Sequence, residues 1–132
     1  MSEESASCSF DGGLILVSVQ WTPRDRVSVR LRESVDKDLV VFTWPAAYVL
    51  AAYIATCDIF RGKSLLEIGA GVGLPSLVAG KRGASRVVVT DRNEVTTMRL
   101  IQSNIDLNSL ESICSVVINL LGSIRWPLVI CA

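Results

Sequence analysis

Seven consecutive residues, Glu67-Ile68-Gly69-Ala70-Gly71-Val72-Gly73, have the types and spacing to hold a ligand. Glycine serves where φ is positive or where a Cβ would strike a bound molecule, so three alternating glycines describe a loop that approaches something closely. The loop follows a short apolar run from Ser64 to Ile68, and Pro75 behind it suits the first turn of a helix. A second acidic residue, Asp91, comes directly after the β-branched run Arg86–Thr90 and 22 positions beyond Gly69 (91 − 69). A carboxylate at that strand end can accept both hydroxyls of a ribose.

Three readings compete for these residues. A plain strand-to-helix turn explains the glycines and leaves Asp91 a helix cap. A dinucleotide fingerprint needs Gly-x-Gly-x-x-Gly, and counted from Gly69 its third position is Leu74. No lysine lies in the loop, so a phosphate-cradling P-loop fails as well. S-adenosylmethionine has an adenosine and an amino-acid end but no phosphate. Glu67, two positions before the first glycine, could face its ammonium and would be unhelpful beside a pyrophosphate. The residues favour the methyl donor, with an NAD-dependent oxidoreductase as the weaker alternative.

Composition narrows the chemistry further. The chain contains no histidine, which removes histidine-based triads and histidine metal sites. Cys8, Cys57, Cys114 and Cys131 are far apart, so they read as structural thiols in a reducing compartment, and no metal site is expected. Thirteen basic residues balance thirteen acidic ones, which gives no overall electrostatic footprint for nucleic acid or an anionic membrane. The start, Met-Ser-Glu-Glu-Ser, is the opposite of a targeting peptide. The longest apolar run, Pro45 to Cys57, is too short to span a bilayer. An intracellular protein, cytoplasmic or nuclear, is expected. The mean hydropathy of +0.45 suggests strands buried on both faces or part of a larger core.

The elements that must position the loop follow from periodicity. Residues 1–9 are expected to be disordered. Leu14–Val19 and Val27–Leu31 flank a Pro- and Asp-containing turn and predict an antiparallel hairpin, so residues 10–44 form a hairpin and linker. Ser34–Asp38 reads as a polar loop and Val40–Trp44 as extended chain before a proline. A helix follows, with Ala46, Val49, Leu50, Tyr53 and Ile54 on its expected inner face. From Ser64 the pattern alternates: strand to Ile68, helix from Pro75 to Lys81 ended by Gly83, strand to Thr90. A helix over Glu94–Leu107 comes next, with Val95, Met98, Ile101 and Ile105 inward, then a strand at Ile113–Ile118 and a fourth at Leu128–Cys131. Such alternation predicts an α/β protein with a parallel sheet, residues 45–132 forming the nucleotide-type domain.

At these residues the sequence resembles the class I S-adenosylmethionine-dependent methyltransferases. Within them, Thr43-Trp44-Pro45-Ala46 before a helix and Leu66 to Pro75 resemble the lysine/arginine-directed protein methyltransferase family 16. The amino-terminal hairpin and Asn104 to Asn108 are similar to that family too. The resemblance implies that Trp44 contacts the cofactor. It puts Gly69, Ala70 and Gly71 against the methionine end, with Glu67 near the ammonium and Asp91 on the ribose, and includes Gly73 among the cofactor-binding residues. It further implies a lysine or arginine side chain of another protein as methyl acceptor, with no nucleic-acid or membrane partner, and leaves the oligomeric state open. Catalysis would be largely alignment, and no catalytic residue is assigned.

Two departures accompany the resemblance. The family carries Leu-x-Trp-Gly after its third strand, where this chain has Asn119-Leu120-Leu121-Gly122; Trp126 nearby is read as packing. Ala132 matches a family residue that touches the cofactor, and the sequence ends there. The expectation is therefore a partial Rossmann-like sheet, roughly strands one to four of seven in the order 3-2-1-4-5-7-6. That leaves most of the cofactor pocket, little of the acceptor pocket and apolar faces uncovered. A non-catalytic binding module is the alternative from another class.

Overall fold

The structure is a computed structural model that describes residues 10–11, 14–36, 39–92, 94–118 and 128–131. The expected disorder of residues 1–9, the departure at Asn119–Gly122, Trp126 and Ala132 all lie outside the described residues.

The amino-terminal hairpin forms as its alternation dictates. β1 (Phe10–Asp11), which the sequence reading missed, adds to β2 (Leu14–Gln20), and β2 pairs antiparallel with β3 (Arg26–Arg32). Ile15, Val17 and Val19 stand opposite Leu31, Val29 and Val27, and all six are buried. Val-rich cross-strand pairs on one face are the unit that holds such a ribbon. Where a polar loop and a linker are expected, β4 (Ser34–Asp36) and β5 (Leu39–Val41) pair as a second small hairpin. Only two residues separate these strands, the spacing of the tightest hairpins, and the charged pair Lys37-Asp38 there disguises the strand signal.

α1 (Pro45–Cys57) begins at the predicted proline but turns a different face inward. Ala47, Ala51, Ala52, Ile54 and Ala55 are buried, whereas the expected core residues Val49 and Tyr53 are 72% and 52% exposed. Ala46 is exposed too, and Leu50 is half-buried against the core. The helix contains no charged residue, so no polar face marks its outside. It packs along α2 (Leu74–Lys81), and a stripe of alanines permits close approach where Val and Tyr would hold the helices apart.

The main sheet has the order β8-β7-β6-β9. β6 (Ser64–Ile68), β7 (Arg86–Asp91) and β8 (Cys114–Ile118) are parallel and in register through Leu65, Val87 and Cys114. α2 and α3 (Val95–Leu107) are the crossovers, as predicted. On α3, Ile101 and Ile105 are buried as expected, but Thr97 and Asn104 join them, while Val95 is 60% exposed. β9 (Leu128–Cys131) takes the place expected of the fourth strand beside β6, but runs antiparallel to it, with Ile68 opposite Leu128. The reason lies in chain length. A parallel return needs a dozen or more residues, and nine separate Ile118 from Leu128, so the strand enters from the edge where β8 leaves.

On one sheet face Leu65, Glu67, Val87, Val89 and Cys114 are buried beneath the helices, and Val116 partly so. The opposite face is barer: Val117 is 45% exposed, and Leu66 and Val88 are half-buried. The hairpin lies over α2 and α3, so one apolar cluster runs from Ile15 to Cys114. Arg82 pins the far corner. Its guanidinium sits 4.7 Å from the Trp21 ring, donates to the Ala55 carbonyl at 2.9 Å and approaches Asp58 at 3.3 Å.

Candidate functional site

The glycine turn joins β6 to α2 at the carboxyl edge of the sheet. Gly69, Gly71 and Gly73 all take positive φ, at 71°, 59° and 88°, a region that side chains enter at a cost. A Cβ built on Gly71 would meet nothing within 4 Å, so the loop backbone borders open space there. The turn is held from below: the Ala70 N–H donates to the Thr90 carbonyl at 3.0 Å, and the Gly73 N–H to the Ala70 carbonyl at 3.0 Å.

Glu67 is 0% exposed. Its Oε2 accepts the Ser76 N–H at 3.1 Å and also the Ser76 hydroxyl in a very short bond. Ser76 is the third residue of α2, so a carboxylate from the strand caps the helix that follows it. The other oxygen, Oε1, is buried with no partner among the described residues. Burial pushes the carboxyl up to about 7, against the pull of the two Ser76 bonds, with the charge of Asp91 adding to the rise.

Asp91 closes β7, one strand over. Its Oδ2 accepts the Gly71 N–H at 2.7 Å and its Oδ1 the Arg92 N–H at 2.6 Å. Each oxygen keeps a further lone pair. The two acidic residues singled out in the sequence are thus brought to one edge, one beneath the glycine turn and one beside it.

Trp44 caps α1 with its backbone, is 55% exposed and lies against Phe42 with ring centroids 4.6 Å apart. The far end of α1 reaches the amino edge, where Gly62 and Lys63 bond to Gly83 and Ser85. α1 packs against α2, the helix that the glycine turn opens. Ala132 lies outside the described residues. Sequence reasoning missed Ser76, the cap partner, and Thr90, whose hydroxyl donates to the Glu67 carbonyl at 2.8 Å. It noted Asn104 without a task; that side chain donates to the Val72 carbonyl and fixes the turn from outside. Two asparagines four apart on an apolar helix face were the available signal.

Parallel strands in the order 3-2-1, a glycine turn after the first and acids at the ends of the first two define the class I S-adenosylmethionine-dependent methyltransferase fold. Residues 23–123 match the family described as lysine methyltransferase, and the chain belongs to it. It is similar to methyltransferase-like protein 23 of Dictyostelium discoideum, 31% identical over 91 residues, which covers 64% of this chain and 36% of that one. Human histone-arginine methyltransferase METTL23 is 37% identical over 90 residues, covering 67% and 46%. Among solved structures, SMU.776, described as a methyltransferase complexed with SAH, superposes with a TM-score of 0.54 at 15% identity. That match covers 85% of this chain and 28% of the other and speaks for the fold. The chain spans less than half the length of the curated relatives it matches.

Proposed function

We propose that this chain binds S-adenosylmethionine at the glycine turn and serves protein N-methylation, with a lysine or arginine side chain as acceptor. The observation behind the reading is the orphaned Oε1 of Glu67, buried under a turn whose Gly71 borders open space. A buried carboxylate oxygen without a donor is costly, and a ligand ammonium would supply one. A pyrophosphate at the same place would meet a like charge.

In this reading Gly69, Ala70 and Gly71 bring the backbone against the methionine end, Gly73 completes the cofactor turn as the N-cap of α2, and Glu67 orients the ammonium. Asp91, already fixed by the Gly71 and Arg92 amides, uses its remaining lone pairs for the ribose hydroxyls. Trp44 lends its exposed ring to the cofactor, and Ala132, outside the described residues, is the further contact that the family resemblance implies. The bound cofactor supplies an electrophilic methyl group on a sulfonium. What the chain contributes is placement: rigid anchoring of both ends of the donor so that an incoming nitrogen can align with the methyl carbon. The family's description supports lysine as acceptor, and the name of the human relative supports arginine. A cytoplasmic or nuclear location fits either.

A thermal-shift titration with S-adenosylmethionine and, separately, NAD tests the reading. At a hundredfold excess over its dissociation constant the methyl donor should add about 2.7 kcal/mol of stability. Stabilisation by NAD alone, or by neither, rejects the reading.

A further inference from the structure

The outer face of the amino-terminal hairpin carries charge that the fold does not use. β3 alternates: Val27, Val29 and Leu31 point inward, while Arg26, Ser28, Arg30 and Arg32 are exposed. Arg24, just before the strand, is exposed as well. Among the described residues these guanidinium groups enter no ion pair; Arg61, Arg82 and Arg92 do. In register on the same face, β2 offers Leu14, Leu16, Ser18 and Gln20, with no acid among them. Asp25, at the turn, is engaged by the Thr22 hydroxyl. Between Phe10 and Arg32 a chain of zero net charge therefore carries four arginines against two aspartates, Asp25 at the turn and Asp11, which β1 pairs with Leu14.

We propose that this face docks an extended acidic segment of a partner polypeptide. Outward side chains on one strand recur every roughly 6.6–6.8 Å. An extended peptide repeats its own side chains at that interval, so alternating carboxylates meet Arg30 and Arg32 in step, with Arg26 two intervals away. A guanidinium fork takes a carboxylate through two parallel bonds, which a point charge cannot do. Half-buried Leu14 and Leu16 lie opposite Arg32 and Arg30 and supply apolar contact between the charges.

At Arg30 and Arg32 the edge of β3 is closed to strand addition. The Oδ1 atoms of Asn108 and Asn104 accept the N–H groups of Arg30 and Arg32, and their Nδ2 groups donate to the carbonyls of the same two residues. With that backbone already paired, a partner must bind across the face, through side chains. Single-stranded nucleic acid fits less well. It relies on aromatic rings for stacking, and this face has none; the nearby Trp21 ring is covered by Arg82.

The inference does not depend on the methyl-donor site, and its test runs without cofactor. Fluorescence anisotropy with a labelled peptide of alternating glutamate and serine should show binding that weakens about tenfold from low to physiological salt. R30E/R32E should abolish binding, and R30Q/R32Q should weaken it at least about tenfold with an unchanged circular dichroism spectrum. Lys63→Glu, a charge reversal at an exposed cation elsewhere, should leave binding intact. An unaltered affinity in R30Q/R32Q, an equal loss in Lys63→Glu, or tighter binding of oligo-dT of the same length overturns the proposal.

Discussion

The Asn104 amide donates to the Val72 carbonyl at 3.0 Å, from the last turn of α3 into the glycine turn. The same side chain accepts the Arg32 N–H at 2.8 Å and donates to the Arg32 carbonyl at 3.1 Å. One buried residue thereby ties the amino-terminal hairpin to the loop proposed to hold the cofactor. The hairpin is thus part of what fixes the turn, and damage to their junction should be felt at the site.

Asn104→Ala should lower stability by about 2–4 kcal/mol, because it strands the Val72 carbonyl and two Arg32 groups. Urea denaturation measures the loss. The variant should also respond less to S-adenosylmethionine under conditions where it is fully folded, since the turn has lost its outer anchor. A fully preserved response would mean the turn is rigid without Asn104.

Glu67 predicts a pH dependence of definite sign. Its carboxyl ionises near 7 in the folded chain against 4.5 ordinarily, so between those values the unfolded state releases a proton that the native state keeps. The stabilising contribution is full below about 4.5 and fades as pH rises to about 7, a loss on the order of 3 kcal/mol. Glu67→Gln should flatten that part of the stability profile in denaturant titrations at several pH values.

Cofactor binding should follow the opposite slope. A ligand ammonium beside Glu67 needs the ionised carboxylate, so affinity should fall by up to about tenfold per unit as pH drops below 7. Isothermal titration at pH 6 and pH 7.5 checks this, with proton release at the lower pH. Affinity that does not vary over that range would place the ammonium elsewhere.

Gly71 separates two costs in one position. Gly71→Ala forces a side chain into a φ of 59°, a strain of about 1–2 kcal/mol, without striking protein atoms. Gly71→Val should add bulk in the open space and eliminate the thermal response to the cofactor. Cofactor binding that survives Gly71→Val would mean the open space is not the pocket.

Trp44 is the complementary case. More than half of it is exposed, so Trp44→Ala should change stability by less than about 1 kcal/mol while weakening cofactor binding several-fold. Equilibrium unfolding and titration on the same preparation distinguish a ligand contact from a packing residue.

Much of the site was legible because chain geometry forces it. The alternating glycines after Ile68 could only be a turn with positive φ, and Asp91 could only end a strand that begins at Arg86, so both acids had to reach one sheet edge. The inner hairpin face from Ile15 to Leu31 followed from period-two alternation. α1 was not legible in this way. A helix apolar on every side offers no polar face to orient it, and the sequence favoured Val49 and Tyr53 where packing against α2 selected alanines.

By itself, then, the sequence determined the βαβ order, the glycine turn and the residue types that flank it, because these depend on local periodicity and backbone sterics. Tertiary structure decided the rest. It assigned one oxygen of Glu67 to capping α2 and left the other without a partner among the described residues. It spent the first lone pairs of Asp91 on backbone amides, and it reversed β9 beside β6. Those outcomes depend on which groups meet across long stretches of chain. Desolvation and hydrogen-bond partnership exist only once the burial is complete.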